Sequence, residues 1–583
     1  MQYGRTERPS RMTYDCVIRG GNVADGTGAP LRVADVAISD GRIVAVGQVA
    51  EPGAEEMDAR GLLVTPGFVD IHTHYDGQAT WDSQLQPSSW HGVTTAVMGN
   101  CGVGFAPVRA SQRDKLIELM EGVEDIPGLV LHEGISWTWE SFVDYLNVLE
   151  GKPRDMDLCA QVPHAALRLY VMGERAVRLE PATKDDMAEM RRLTAEAIRA
   201  GALGFSTSRS LNHQTVKGDP TFTLRASEEE LTEIAMGLAD AGAGVIEVVA
   251  DFDTQEPAPQ FEMLKRIVKK SGRPLSLAVV QRHSKPDMWR DLLEWIHQAN
   301  REGLPMAAQI APRPIGLLLG LEGNATPFSH VPAWSQLSDL PFDERLAKAR
   351  EPAVRSAVLA QAAAMEPPKP AEKHYVNFRM MFPLGATPDY EPDERDSIFN
   401  RAAREGVSPS ELAYDLMTAG DGRDLFLVTA LNYARYNLDD CREMIAAEHT
   451  LISLSDGGAH VGLISDGSQP TYLLTHWGRD RPTGRFDVSW LVKRLTSDGA
   501  RAVGLHDRGM IAPGLRADIN VIDFSRLQCE RPEITYDLPG GAKRFLQRAR
   551  GYVATIVAGQ VTYRNGEATG TLPGRLVRAE LKN

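Results

Sequence analysis

The chain has 583 residues, 43% hydrophobic and 24% charged, with a net charge of −15. That length and composition imply a large folded core with room for satellite domains and exclude a disordered chain. Acidic charge spread along the whole sequence disfavours nucleic acid or an anionic membrane as partner and points to a small-molecule substrate.

The opening stretch MQYGRTERPSRMTYD has no apolar export core, and no run reaches the 18 apolar residues of a membrane span. The five cysteines, Cys16, Cys101, Cys159, Cys441 and Cys529, are scattered and odd in number, which reads as reduced thiols. A cytoplasmic protein is expected, with homo-oligomerisation left open.

From Tyr14 to Gly67 short apolar strands alternate with Gly-Gly, Asp-Gly and Gly-Thr-Gly turns, the pattern of a small antiparallel β unit. The same vocabulary returns in GMIAPGLRADINVIDF (509–524) and GYVATIVAGQVTYRNGEA (551–568). Two such segments predict a β-sandwich assembled from both chain ends, residues 1–66 and 491–583, with a domain inserted between them.

Across 67–490 the pattern changes to strands followed by helices, which predicts an α/β fold, a TIM-like (β/α)8 barrel. The expected strands are Gly92–Gly99, Ala202–Ser206, Gly244–Val249, Leu275–Val280, Met306–Ile310 and Leu451–Leu454. Helices over 183–201 and 227–242 each open on a Thr or Ser cap, carry acids in the first turn and end on Gly. The stretch 312–425 is long for a loop and holds the Pro-rich EPPKPAEKH, so a lid-like insertion is expected there.

GFVDIHTHYD (67–76) ends an apolar run in two histidines. Successive strand side chains alternate faces, so His72 and His74 point the same way and can hold one metal ion. In a parallel barrel chemistry collects at the C-terminal strand ends, where the first strand would bring this pair. Cys101 follows the next strand in VMGNCGVG, and Asp456 follows the last one in LISLSDGGAHVG. Thiolate is a strong zinc ligand, and a carboxylate can touch a metal and take a proton from water. The competing readings are a buried filler cysteine and a turn aspartate. Lys285, Arg313 and His460 sit near strand ends, where they could touch substrate or serve as packing or solvated residues. Neither GTGAP nor GNCGVG has the strand–GxGxxG–helix context of a nucleotide loop.

These motifs resemble the amidohydrolase superfamily and, within it, the N-acyl-D-amino-acid deacylase (D-aminoacylase-like) family. The likeness rests on LLVTPGFVDIHTHYD, HGVTTAVMGNCGVGFAP, VPHAALRLYVMG, GALGFSTS, YEPDE, SDGGAHV and DRGMIAPGLRADINVID. It implies a zinc-type centre with His72 and His74 as ligands, Cys101 as the ligand that bridges metals in the deacylases, and Asp456 as metal-contacting base. It also implies an ordering role for His164 in VPHAALR, where an ordinary loop histidine is the alternative.

The sequence departs from that family at particular points. The deacylases carry a histidine in THxR, where this chain reads GVIEVVADFD, and another in SHxK, for which His283 and Lys285 of QRHSK are the candidates by motif though not by strand length. A single zinc ion on His72, His74 and Asp456, with or without Cys101, is therefore expected, the alternative being a weakened two-metal site. The arginine that grips a substrate carboxylate shortly after the aspartate has no clear counterpart.

The expected activity is metal-dependent hydrolysis of a non-peptide C–N bond in an N-acyl amino acid or a similar small linear or cyclic amide. The alternative is a catalytically weakened member kept as a binding or assembly scaffold.

Overall fold

Eight parallel strands form the centre of the protein, seen in a computed structural model that describes residues 14–254, 256–367 and 371–579. In chain order they are β1 (Phe68–Asp70), β2 (Val93–Met98), β3 (Asp157–Pro163), β4 (Gly204–Arg209), β5 (Val245–Ala250), β6 (Leu275–Ala278), β7 (Met306–Ile310) and β8 (Thr450–Ile452). Each pairs with its sequence neighbour. The sheet curls until the extensions of β1 and β8 meet, through a parallel bridge between Thr73 and Gly457 and a 2.8 Å hydrogen bond from His74 N–H to the Gly457 carbonyl. This is the TIM-like barrel that the βα alternation predicts.

Strands covered on both faces must be apolar or internally paired along their whole length. β2 and β3 are buried at every position. The sequence pattern does not reveal β3, because it opens on a charge. Asp157 is fully buried, and its carboxylate accepts from Arg508 at 2.7 Å and Arg516 at 2.8 Å, residues that arrive from the far end of the chain.

The intervening helices form where their caps and apolar stripes call for them. Lys184–Arg199 starts at Thr183, whose hydroxyl accepts from Asp186 N–H, and Glu228–Ala241 starts at Ser227 and stops at Gly242 with φ +73°. A side-chain acceptor at the cap satisfies an orphan N–H, and a left-handed glycine ends the ladder.

The two chain ends build one nine-stranded sheet. Its seam is the antiparallel pairing of Leu63–Pro66 with Ile519–Ile522, and Ile18, Val36, Val64, Ile519 and Ile556 share one buried cluster across it. Between β7 and β8 the chain makes a three-stranded antiparallel sheet of Ile315–Leu319, Phe426–Leu431 and Met381–Pro383. This excursion has its own apolar cluster around Phe328, Trp334, Tyr414 and Phe426, and it lends Ile315 and Leu431 to the wall of the cavity above the barrel.

Candidate metal centre

The centre lies where β1, β2 and β8 run out. His72 and His74 follow β1 on one side of the chain, both 1% exposed. Cys101 sits in the turn after β2 with a left-handed φ of +55°, and Asp456, after β8, has φ +48°. Non-glycine residues in that region cost of the order of 1 kcal/mol or more and persist where surrounding contacts enforce them. At Cys101 the enforcing contact is a hydrogen bond from its N–H to Glu247 Oε2 at 2.9 Å.

Four side chains converge. His72 Nε2 stands 3.3 Å from Cys101 Sγ and 3.4 Å from Asp456 Oδ1, and His74 Nε2 stands 3.7 Å from the same oxygen. His72, His74 and Cys101 each put a donor atom within 4.8 Å of the other two. Nitrogen, oxygen and sulfur ligands at zinc distances of about 2.0–2.3 Å stand roughly 3.3–3.8 Å apart in a tetrahedron.

A shell of partners lies behind them. His72 Nδ1 meets Gln309 Oε1 at 2.7 Å, and Gln309 in turn donates to Ser276 Oγ at 2.9 Å. His74 Nδ1 faces Glu124 Oε1 at 3.4 Å, and the other oxygen of Glu124 faces His460 Nε2 at 3.5 Å. Such partners fix the ring orientation of metal-binding histidines.

The electrostatics fit a cation. Both ring nitrogens of His74, Oε1 of Glu124, Oε1 of Glu247 and Nδ1 of His213 are buried without a hydrogen-bond partner among the described residues. Burial costs a polar group unless it is paired or coordinates a metal. Burial pushes Glu247 up to about 7 and raises Glu124 well above its ordinary range, with Asp456, Asp76 and Glu247 adding to the latter. Burial also raises the Cys101 thiol and lowers His74 to about 4, its neutral, ligating form at pH 7. At Asp456 burial pulls upward, but His74, His72 and His460 outweigh it and hold the carboxyl well below the usual range. The donor set, two imidazoles with a thiol and an ionised carboxylate, suits a divalent metal.

Above the centre opens a cavity of about 230 Å³. His72, His74, Cys101 and Asp456 line it, as do Lys285 and His460. The remaining sequence-predicted residues lie elsewhere. His283 is not among the lining residues; burial lowers its pKa, and the neighbouring His374 adds to the lowering. His164 is held by Thr207 Oγ1 at 2.8 Å and Glu230 Oε1 at 3.0 Å, outside the cavity. Arg313 is fully buried, pairs with Asp466 at 2.7 Å and stacks 3.9 Å over the Tyr390 ring.

Sequence reasoning missed Glu124, Glu247, His213 and Gln309. Glu247 and Gln309 left a signal, since each is a polar residue inside an apolar strand. Glu124 left none, because an acid at a helix end normally faces solvent.

The sequence matches the Amidohydrolase family over residues 55–563. D-aminoacylase of Alcaligenes xylosoxydans xylosoxydans is 27% identical over 572 residues, 97% of each chain. N-acyl-D-aspartate deacylase of the same organism is 31% identical over 298 residues, 51% of this chain and 53% of its own. Among solved structures, D-aminoacylase superposes with a TM-score of 0.64 at 24% identity over 97% of this chain and all of the other. N-acyl-D-glutamate deacylase from Bordetella bronchiseptica, complexed with zinc and a phosphonate mimic of the tetrahedral intermediate, has the same score at 22% identity, again over 97% of this chain and all of its own. These structural likenesses establish the shared fold.

Proposed function

The chain belongs to the amidohydrolase family and is a metal-dependent amide hydrolase, and on that footing we propose that it cleaves the amide of a small N-acyl amino acid or a related linear or cyclic amide. His72, His74 and Cys101 would hold one zinc ion, with Asp456 in reach of both the ion and a water at its open position. The observation that carries this reading is the convergence of two buried imidazoles, a thiol and an ionised carboxylate at the floor of a cavity large enough for a small amide. Sulfur among the donors favours zinc over magnesium or manganese. One ion rather than two is supported by β5, where Glu247 is committed to the Cys101 N–H, and by the position of His283 away from the lining. The substrate class is supported by relatives named for N-acyl-D-amino acids.

A divalent ion in such a site supplies Lewis acidity, lowering the pKa of water and polarising a carbonyl. Asp456, kept ionised by the surrounding imidazoles, accepts the proton of the attacking water and returns it to the leaving nitrogen as the C–N bond breaks. Glu124 and Gln309 hold the rings of His74 and His72 from behind. Lys285, a cation of the cavity wall with no carboxylate partner among the described residues, receives the substrate's carboxylate; its Nζ otherwise donates to the Thr254 carbonyl. Arg282 is less available, because Asp251 at 3.0 Å and Asp253 at 3.8 Å already neutralise it.

The test is metal analysis of the purified protein together with Asp456→Asn, assayed on a panel of N-acyl amino acids, hydantoins and lactams. One zinc per chain and a loss of about 10²-fold or more in kcat are expected. Full hydrolysis by Asp456→Asn would remove the proposed base.

A further inference from the structure

A second set of metal-type donors stands at the other end of the barrel. His297 projects from the helix Met288–Arg301, and Glu448 and His449 occupy the turn just ahead of β8. That turn precedes the strand, whereas Asp456 follows it, so the set lies at the N-terminal face of the barrel, away from the cavity. One donor atom of each residue lies within 4.8 Å of the other two. The two imidazole rings are 5.5 Å apart between centroids and inclined at 59°.

Two features separate this cluster from a chance meeting of surface side chains. None of the three side chains has a hydrogen bond or ion pair among the described residues, so all their donor atoms are free. His449 also holds a left-handed φ of +58°, which costs a non-glycine residue of the order of 1 kcal/mol, and its carbonyl is fixed by Ala308 N–H of β7 at 2.8 Å. The histidine is therefore presented by a constrained backbone rather than a loose one.

We propose that His297, Glu448 and His449 form a second metal site for a divalent transition ion of the zinc type, distinct from the catalytic centre. Two imidazole nitrogens and one carboxylate oxygen suit zinc, whereas calcium and magnesium demand oxygen-rich shells. Three protein ligands leave a fourth position to solvent. Because one ligand comes from the helix and two from the turn feeding β8, the ion staples the last barrel strand to the helix beside it. An ion bound only by the folded state raises stability by mass action.

The experiment uses the full chain, loaded with its catalytic metal and equilibrated against increasing zinc chloride. Zinc per chain is counted by equilibrium dialysis, and melting is followed in parallel. The wild type is expected to bind one zinc per chain beyond the catalytic complement and to melt higher as zinc rises. His297→Gln and Glu448→Gln should each weaken that uptake tenfold or more and lose the zinc-dependent shift, while amide hydrolysis at low zinc stays at the wild-type rate. His297→Gln lies on a half-buried helix face, and its hydrolysis rate reports whether it is folded. No additional zinc on the wild type, or undiminished uptake in both variants, overturns the proposal.

Discussion

Gly122 lies inside the helix Arg113–Glu124, where a glycine costs roughly 1 kcal/mol relative to alanine. Replacing it with alanine should therefore stabilise the protein if the helix were free, yet the structure predicts the reverse. A Cβ at this position would stand 2.2 Å from the Gln214 carbonyl oxygen, 2.3 Å from Thr215 C and 2.4 Å from Val216 N. All three are backbone atoms of the loop that carries His213 to the cavity, and the loop is tied to the same helix by a 2.9 Å hydrogen bond from Val216 N–H to the Glu118 carbonyl. No side chain can swing aside, so relief requires the loop to move by about 1 Å. Overpacking of this kind costs about 1–3 kcal/mol, and three backbone contacts put it at the upper end; subtracting the helix gain of about 1 leaves a net loss of about 2 kcal/mol. A 1 Å displacement at a site can also cost about 10²-fold in rate. Urea denaturation gives the first quantity, and kcat/KM on the best amide substrate gives the second. A Gly122→Ala protein as stable and as active as the wild type would refute the reasoning.

Two further changes test the shell behind the centre and the junction beneath the barrel. Glu124→Gln keeps the shape but replaces the carboxyl 3.4 Å from His74 Nδ1, and losing such a partner costs about 10–100-fold in metal affinity, or about 1.4–2.7 kcal/mol. Chelator competition reads this directly, and an unchanged dissociation constant would show that Glu124 does not orient His74. Asp157→Asn removes the carboxylate that Arg508 and Arg516 share and leaves them Asp507 and Asp518, and breaking a buried pair costs about 3–5 kcal/mol. A denaturation shift of less than about 1 kcal/mol would mean that Asp518, 3.2 Å from Arg516 Nε, compensates.

How much was legible in the sequence followed the range of the interactions. The His-x-His pair, the cysteine after β2 and the aspartate after β8 announce themselves through strand ends, which are local features, and the fold brings those four residues together. β3 was hidden because its buried Asp157 is neutralised by arginines some 350 positions away, a pairing that no local pattern encodes. His283 and Lys285 show the same limit at short range. β6 ends at Ala278, and the turn that follows sends Lys285 to the cavity and leaves His283 off the lining. Glu247 was visible only as a missing histidine, although a lone acid in GVIEVVA is itself a sign that a strand carries a polar partner.

The carboxylates of this centre call for a positive charge that the described residues do not supply. Asp456, Glu124 and Glu247 surround two imidazoles, and none of the three has a lysine or arginine partner among the described residues. Taking a carboxylate out of water costs several kcal/mol unless a cation answers it. Burial lowers His74, which leaves the array short of a cationic partner. A divalent ion is the charge that balances such an array, and the array in turn raises affinity for that ion even where the direct ligands are few. Glu247 contributes twice, through its field and by fixing the backbone of Cys101. A histidine at that position would offer a ligand but no compensating charge. A carboxylate at that position therefore adds negative field beside the imidazoles, where a histidine would add only a nitrogen donor.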